Sequence, residues 1–219
     1  MATPKFDSIA AAFLKRIPDE FQSTFTPGTM VIPSGYIIPA ANIVDYINRG
    51  MLKLFNDKWN LAFTYANGNP SIQIKYFISL LPELVKLTDV PLTDSFYEIA
   101  SPLMDLFTIV GGLTTSDKRF VKVWDESKLL FALAGTYQEY TALSSSPAII
   151  KVEDKIFYFP QDDEEISYQL QYIALPLNPE TGDLLSQNGT YDIPFTLHWL
   201  NEIVNNAYQL YIEESQETV

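Results

Sequence analysis

The chain has 219 residues, with 27 acidic against 14 basic side chains, a formal net charge of −13 and 47% hydrophobic residues. That length supports one large domain or two small ones with a buried core, and the acidic balance sets the average surface field against nucleic-acid phosphates, which disfavours tight DNA binding. Cysteine is absent, so disulfides and thiolate metal sites are excluded and a reducing compartment fits. No apolar run approaches the ~20 residues that span a bilayer. The opening MATPKFDSIAAAFLKRIPDEF places charges and prolines where a signal peptide needs an unbroken apolar stretch, so secretion is not expected.

In chain order, DSIAAAFLKR at 7–16 predicts a short helix with Ile9, Phe13 and Leu14 on one face and Pro18 as its stop. FQSTFTPGTMVIPSGYIIPA at 21–40 carries three prolines and two glycines and reads as an irregular linker or a strap over a neighbour. From Ala40 to about Trp59, Ile43, Ile47, Met51, Leu54 and Phe55 recur at steps of three and four, which predicts an amphipathic helix. YANGNP at 65–70 breaks it. SIQIKYFISLLPELVKL at 71–87 is apolar almost throughout and is read as helix.

The middle of the chain is made of shorter pieces. FTIVGGL at 107–113 and RFVKVW at 119–124 read as strands, and DESKLLFALAG as one short helix between Asp125 and Gly135. AIIKVEDKIFYFP at 148–160 predicts a hairpin turning at Asp154-Lys155. ISYQLQYIAL then sets Ile166, Tyr168, Leu170 and Tyr172 on one face and reads as a third antiparallel strand. After a loop, Ile193, Leu197, Leu200, Val204, Ala207 and Tyr211 repeat at helical spacing, predicting a helix over about 192–214 with Asp192 as cap and Pro194 in its first turn. The fold class expected is α+β: a bundle of two or more long amphipathic helices with a small antiparallel sheet, about 105–175, that includes the hairpin at 148–160.

Chemistry is sparse. A single histidine without cysteine cannot supply the usual zinc ligand set. His198 could serve a Ser-His-Asp arrangement, but no G-x-S-x-G elbow marks a serine. On a helical wheel begun at Ile193, His198 lies away from the apolar stripe and pairs with Glu202. Gly111-Gly112 lacks the continuation of a phosphate-binding loop and reads as a bulge or turn. Asp162, Asp163, Glu164 and Glu165 lack the spacing and central glycine of a calcium loop and read as a solvated turn, and Asn188-Gly-Thr190 matches a glycosylation sequon that reads as a turn. No carboxylate pair stands out for glycoside chemistry. Tyr168, Tyr172, Tyr208 and Tyr211 suit either a core or a protein interface. No catalytic, cofactor-binding or metal-ligating residue is assigned.

The order of elements carries a resemblance. It runs from INRGMLKLFNDKW through DESKLLFALA to SSSPAIIKVEDKIFYFP, where Pro147, Ile149, Ile156 and Pro160 recur in a fixed frame. It continues to YQLQYIALP, with Tyr172 and Pro176, and to YDIPFTLHWLNEIVNNAYQLYIEE, opened by Ile193-Pro194. Residues 40–215 thereby resemble the head-to-tail adaptor, or connector, proteins of tailed bacteriophages, including the tail-tubular type and other portal-proximal ring proteins. The resemblance implies a non-enzymatic virion protein made in the host cytoplasm, without cofactors. It implies a homo-oligomeric ring, commonly twelvefold, joining the capsid portal to further tail or ring proteins, with DNA passing through unbound on ejection and no membrane partner. Residues 1–39 would be an N-terminal arm and 40–219 a single adaptor domain. The alternatives are a hydrolase-type enzyme using His198 or a carboxylate pair, and a soluble binding module.

Overall fold

The longest helix, α2 (Ala40–Ala66), is amphipathic by its own sequence, and the computed structural model buries its stripe: Ile43, Ile47, Met51, Leu54 and Phe55 are all removed from solvent. The structure describes residues 6–16, 40–91, 96–100, 103–115, 118–134, 147–159, 167–185 and 193–217. They fall into two compact units, one formed by residues 1–84, 175–178 and 182–219, the other by 85–174 with 179–181.

The first unit is helical. α1 (Phe6–Leu14) buries Ile9, Phe13 and Leu14, the face its spacing predicts. α2 runs past the expected end at Trp59 to Ala66, where Asn67 (φ 49) and Gly68 (φ 83) turn the chain in the left-handed region that glycine tolerates. α3 (Pro70–Leu80) starts with proline at its first position and with the Asn69 side chain accepting from the Ser71 and Ile72 amides, a capping arrangement that satisfies two otherwise unpaired donors. Phe77 of α3 meets Phe55 and Trp59 of α2 edge to face, with centroids 5.1 and 5.2 Å apart. α5 (Leu200–Glu217) buries Ile203, Val204 and Ala207.

The final helix begins later than expected. Residues 193–196 are not helical, and Leu197–Trp199 make one tight 3-10 turn before α5. Ile193 and Phe195 are buried, while Thr196 is extended, its amide 3.4 Å from the Glu83 Oε1. The helical wheel therefore does not apply before Leu200, and Leu197, expected in the apolar stripe, is more than half exposed. Asp192, the expected cap, lies outside the described residues.

α2 and α5 approach closely at Gly50. A Cβ there would sit 2.8 Å from the Ile203 carbonyl oxygen and 3.0 Å from the Ala207 amide nitrogen, both backbone atoms with no easy way to yield. Glycine is what permits this crossing. Around it, Asn48 is fully buried: its amide donates to the Leu185 carbonyl at 2.8 Å and accepts from the Leu185 N–H at 3.1 Å, pinning residue 185 against α2.

The second unit corrects the expected fold class. Its sheet is neither small nor purely antiparallel: seven strands run in the order β1-β7-β3-β4-β5-β6-β2, mixed and nearly closed into a barrel-like form. They are β1 (Val85–Pro91), β2 (Phe96–Glu98), β3 (Leu106–Thr114), β4 (Phe120–Trp124), β5 (Ala148–Val152), β6 (Lys155–Phe159) and β7 (Ser167–Ala174). The expected strands at 107–113 and 119–124 and the hairpin at 148–160 are present, the hairpin turning at Glu153-Asp154, one residue before the expected pair.

Two features of the chain explain the difference. The apolar run at 71–87 conceals a change of element, because α3 ends at Leu80 and β1 begins at Val85. In addition, β7 does not extend the hairpin as a third strand; it pairs antiparallel with β1 on one side and β3 on the other. β4 and β5 pair in parallel, which requires a crossover; that connection contains α4 (Leu129–Ala134), introduced by a short turn capped by Asp125. Gly111 adjoins a register shift between Ile109 and Gly111, so the Gly-Gly pair is a bulge element, as read from sequence.

Inside the sheet, Tyr168, Leu170, Tyr172 and Ala174 of β7 join Val90, Ile109, Val121, Ile149, Ile156 and Tyr158 in one core. Tyr158 of β6 stacks on Tyr168 of β7 at 5.5 Å although three strands separate them in the sheet order. That contact exists only because the sheet curls.

Replacing Gly50 by alanine should destabilise the protein by about 1–3 kcal/mol, the usual cost of forcing atoms into a packed contact. A lowered urea midpoint with unchanged slope is the expected result; an unchanged midpoint would mean that α2 and α5 do not meet backbone to backbone.

Candidate interaction surface

The described polar clusters are closed structural networks. In the sheet unit Asp105 is fully buried, with Lys86 Nζ at 2.5 Å from Oδ2 and the Tyr172 hydroxyl donating to Oδ1 at 3.2 Å. Lys86 and Tyr172 are directly opposed on β1 and β7, so the strand register delivers both to the same carboxylate. Burial, then the Asp105 charge and hydrogen bond, push the Tyr172 phenol well above its ordinary range. Both Asp105 oxygens are thus engaged. Tyr168 is also buried and shifted upward by desolvation, and its hydroxyl has no hydrogen-bond partner among the described residues, which costs about 1–3 kcal/mol.

In the helical unit, Glu214 of α5 accepts from Arg49 and, at 2.8 Å, from the Tyr46 hydroxyl, both on α2. The Arg49 hydrogen bond, followed by that of Tyr46, holds the Glu214 carboxyl below its ordinary value. The same contact raises Arg49, and burial together with Glu214 pushes Tyr46 up to about 12. Tyr46, Phe13 and Tyr211 meet at ring separations of 5.8 to 6.4 Å, and Tyr208 lies beside Tyr211 at 6.3 Å. All four tyrosines named from sequence therefore make internal contacts.

His198 is exposed in the turn before α5, its ring edge against Trp199 at 4.8 Å. The expected partner Glu202 is engaged elsewhere, by Lys58 at 2.7 Å, and Lys58 also lies over the Trp199 ring at 4.8 Å. No group of three or more His, Cys, Asp or Glu side chains suited to a metal occurs among the described residues, and no described helix is long and apolar enough to cross a membrane. The acidic run 162–165 and the sequon at 188–190 lie outside the described residues.

Several large apolar side chains are also exposed. On the helical unit Leu61 (48%), Tyr65 (64%) and Ile72 (43%) stand open to solvent. Leu61 and Tyr65 are one helical turn apart on α2, Tyr65 stacks on Tyr76 of α3 at 4.1 Å with rings 14° from parallel, and Tyr76 is one turn from Ile72. These four side chains make a continuous ridge across the α2–α3 pair. From Leu61 to Pro82 the sequence carries a single charge, Lys75, in a chain of net −13. That gap in charge is legible in the sequence; the ridge is not, because it depends on two helices folding back on each other. Among the described residues of the sheet unit, Phe120 (83%) and Leu130 (76%) are the most exposed large apolar ones. Exposed apolar groups gathered into a patch mark interaction sites.

In comparison with known proteins, the chain matches no family model and no curated protein.

The Glu214 contacts give an acid limb with a defined sign. A carboxyl lowered in the folded state contributes stability that is complete above its ordinary pKa of 4.5 and is lost as pH falls through the lowered folded value. Glu214→Gln should therefore lower the urea midpoint at neutral pH, and the gap from the parent protein should close as pH falls through the lowered folded value. A gap independent of pH would show that the carboxylate charge contributes nothing.

Proposed function

We propose that this chain is a structural subunit of a head-to-tail connector of the tailed-phage type, a homo-oligomeric ring that joins the capsid portal to the tail and surrounds the path of the DNA. The observation that carries this reading is the exposure of large apolar side chains, Phe63, Tyr65, Phe120 and Leu130 among them, on regular elements of both units. In an isolated soluble subunit such groups are a liability; in an assembly they are the contact surface.

Two further observations support it. The order of motifs from INRGM to YQLYIEE resembles that of adaptor proteins, and the charge of −13 suits a wall that DNA passes without adhering. The sheet is larger than the sequence pattern predicts, and in this reading its exposed residues offer a second contact surface. The hydrolase alternative would need His198 beside a serine hydroxyl or a carboxylate; its ring contacts Trp199, and Glu202 is held by Lys58.

Light scattering and negative-stain imaging of the purified protein, alone and mixed with portal assemblies, test the proposal. The expected outcome is a multi-subunit ring, formed either alone or on the portal. A protein that stays monomeric in both settings and binds neither portal nor tail particles contradicts it.

A further inference from the structure

We propose that the ridge Leu61–Tyr65–Tyr76–Ile72 is the face on which a second copy of this chain docks; the inference rests on the ring reading above and names one of its contact surfaces. Three observations on the helical unit carry it. First, the ridge is contiguous, because helical spacing links Leu61 to Tyr65 and Ile72 to Tyr76 while the stacked tyrosine rings link the two helices. The stack holds Tyr65 in place before any partner arrives, so little side-chain freedom remains to be lost on binding. Second, the composition is that of an interface core, with aromatic and aliphatic side chains, a rim of uncharged Thr64, Asn67, Asn69 and Ser71, and no acid from Leu61 to Pro82.

The third observation selects the occupant. Two chains of net charge −13 repel one another over most of their surfaces. Approach costs least where one partner presents little negative charge: the four ridge side chains carry none and exposed Lys75 stands three residues after Ile72 on the same side of α3, against exposed Asp57 one turn before Leu61 at the far end. An acidic copy of the same chain therefore fits it in sign as well as in apolar character. Nucleic acid does not fit, since one lysine supplies too little phosphate neutralisation. A contact of the ridge on one copy with a different surface of the next is heterologous, the kind that closes into rings.

The test uses the full chain. The double variant Tyr65→Glu with Ile72→Glu puts two charges on the ridge at exposed positions; far-ultraviolet dichroism and the urea midpoint confirm that it folds. Asn56→Glu places a charge at an exposed position on the opposite side of α2, about 180° from Tyr65 at 100° per residue, and is the control. Assembly is read by light scattering across a concentration series and by imaging on portal assemblies. The double variant should need about tenfold or more protein to assemble, the loss expected when a central contact is removed, and the control should assemble as the parent does. A double variant that assembles like the parent overturns the inference while leaving the ring reading intact. So does one that forms rings normally but no longer binds portal, which would make the portal the occupant. A parent protein that forms no oligomer in any setting refutes the ring reading itself.

Discussion

The backbone contact between α2 and α5 at Gly50 is the constraint on which the helical unit depends. No side chain separates the two helices there, so the crossing brings residues far apart in sequence within reach of short polar groups. Arg49 and Tyr46 can grip Glu214, Lys58 can reach Glu202, and the Asn206 amide can approach the Gly50 carbonyl at 3.4 Å. These are consequences of the close approach. Their individual worth is small, because most of the ion pairs are partly exposed; what they add is register, fixing which turn of α5 meets which turn of α2. α3 then folds back on the far end of α2 through the Asn67-Gly68 turn, and that fold-back creates the Tyr65–Tyr76 ridge.

In the sheet unit the corresponding role belongs to β7. Paired on both edges, it buries Tyr168, Leu170, Tyr172, Ile173 and Ala174. Its Tyr168 reaches Tyr158 across the curled sheet, and its Tyr172 shares buried Asp105 with Lys86. A buried carboxylate is tolerated only when its oxygens are satisfied, so this pair of contacts fixes the register of β1 against β7. The Tyr168 hydroxyl, without a partner among the described residues, runs against that logic and is offset by the burial of its ring.

The sequence is most legible where periodicity alone decides. The buried face of α2 and that of α1 follow from steps of three and four, and the β5–β6 hairpin from two apolar runs around a turn. Pairing is where it becomes illegible. Alternation in ISYQLQYIAL identifies a strand and its inner face, yet nothing local states that its neighbours are β1 and β3, far earlier in the chain, rather than the adjacent hairpin. The continuous apolar character of 71–87 satisfies helix and strand equally, which hid β1 and made the sheet seem small. At the C-terminal end the same stripe of apolar residues runs through a 3-10 turn and a helix, two structures with different angular steps, so the wheel misplaced Leu197; His198 is exposed as expected, but its expected partner Glu202 is held by Lys58. As for the candidate site, its charge gap from Leu61 to Pro82 was open to view and its geometry was not.

In the proposed ring, a chain of net charge −13 meets copies of itself along the apolar ridge of Leu61, Tyr65, Tyr76 and Ile72. Photo-crosslinking from a benzoylphenylalanine placed at position 65 addresses this claim most directly, since it reports what touches the ridge in the assembled particle. The account predicts a covalent adduct between two copies of this chain. An adduct only to a different protein, or none in a particle that has assembled, would contradict it.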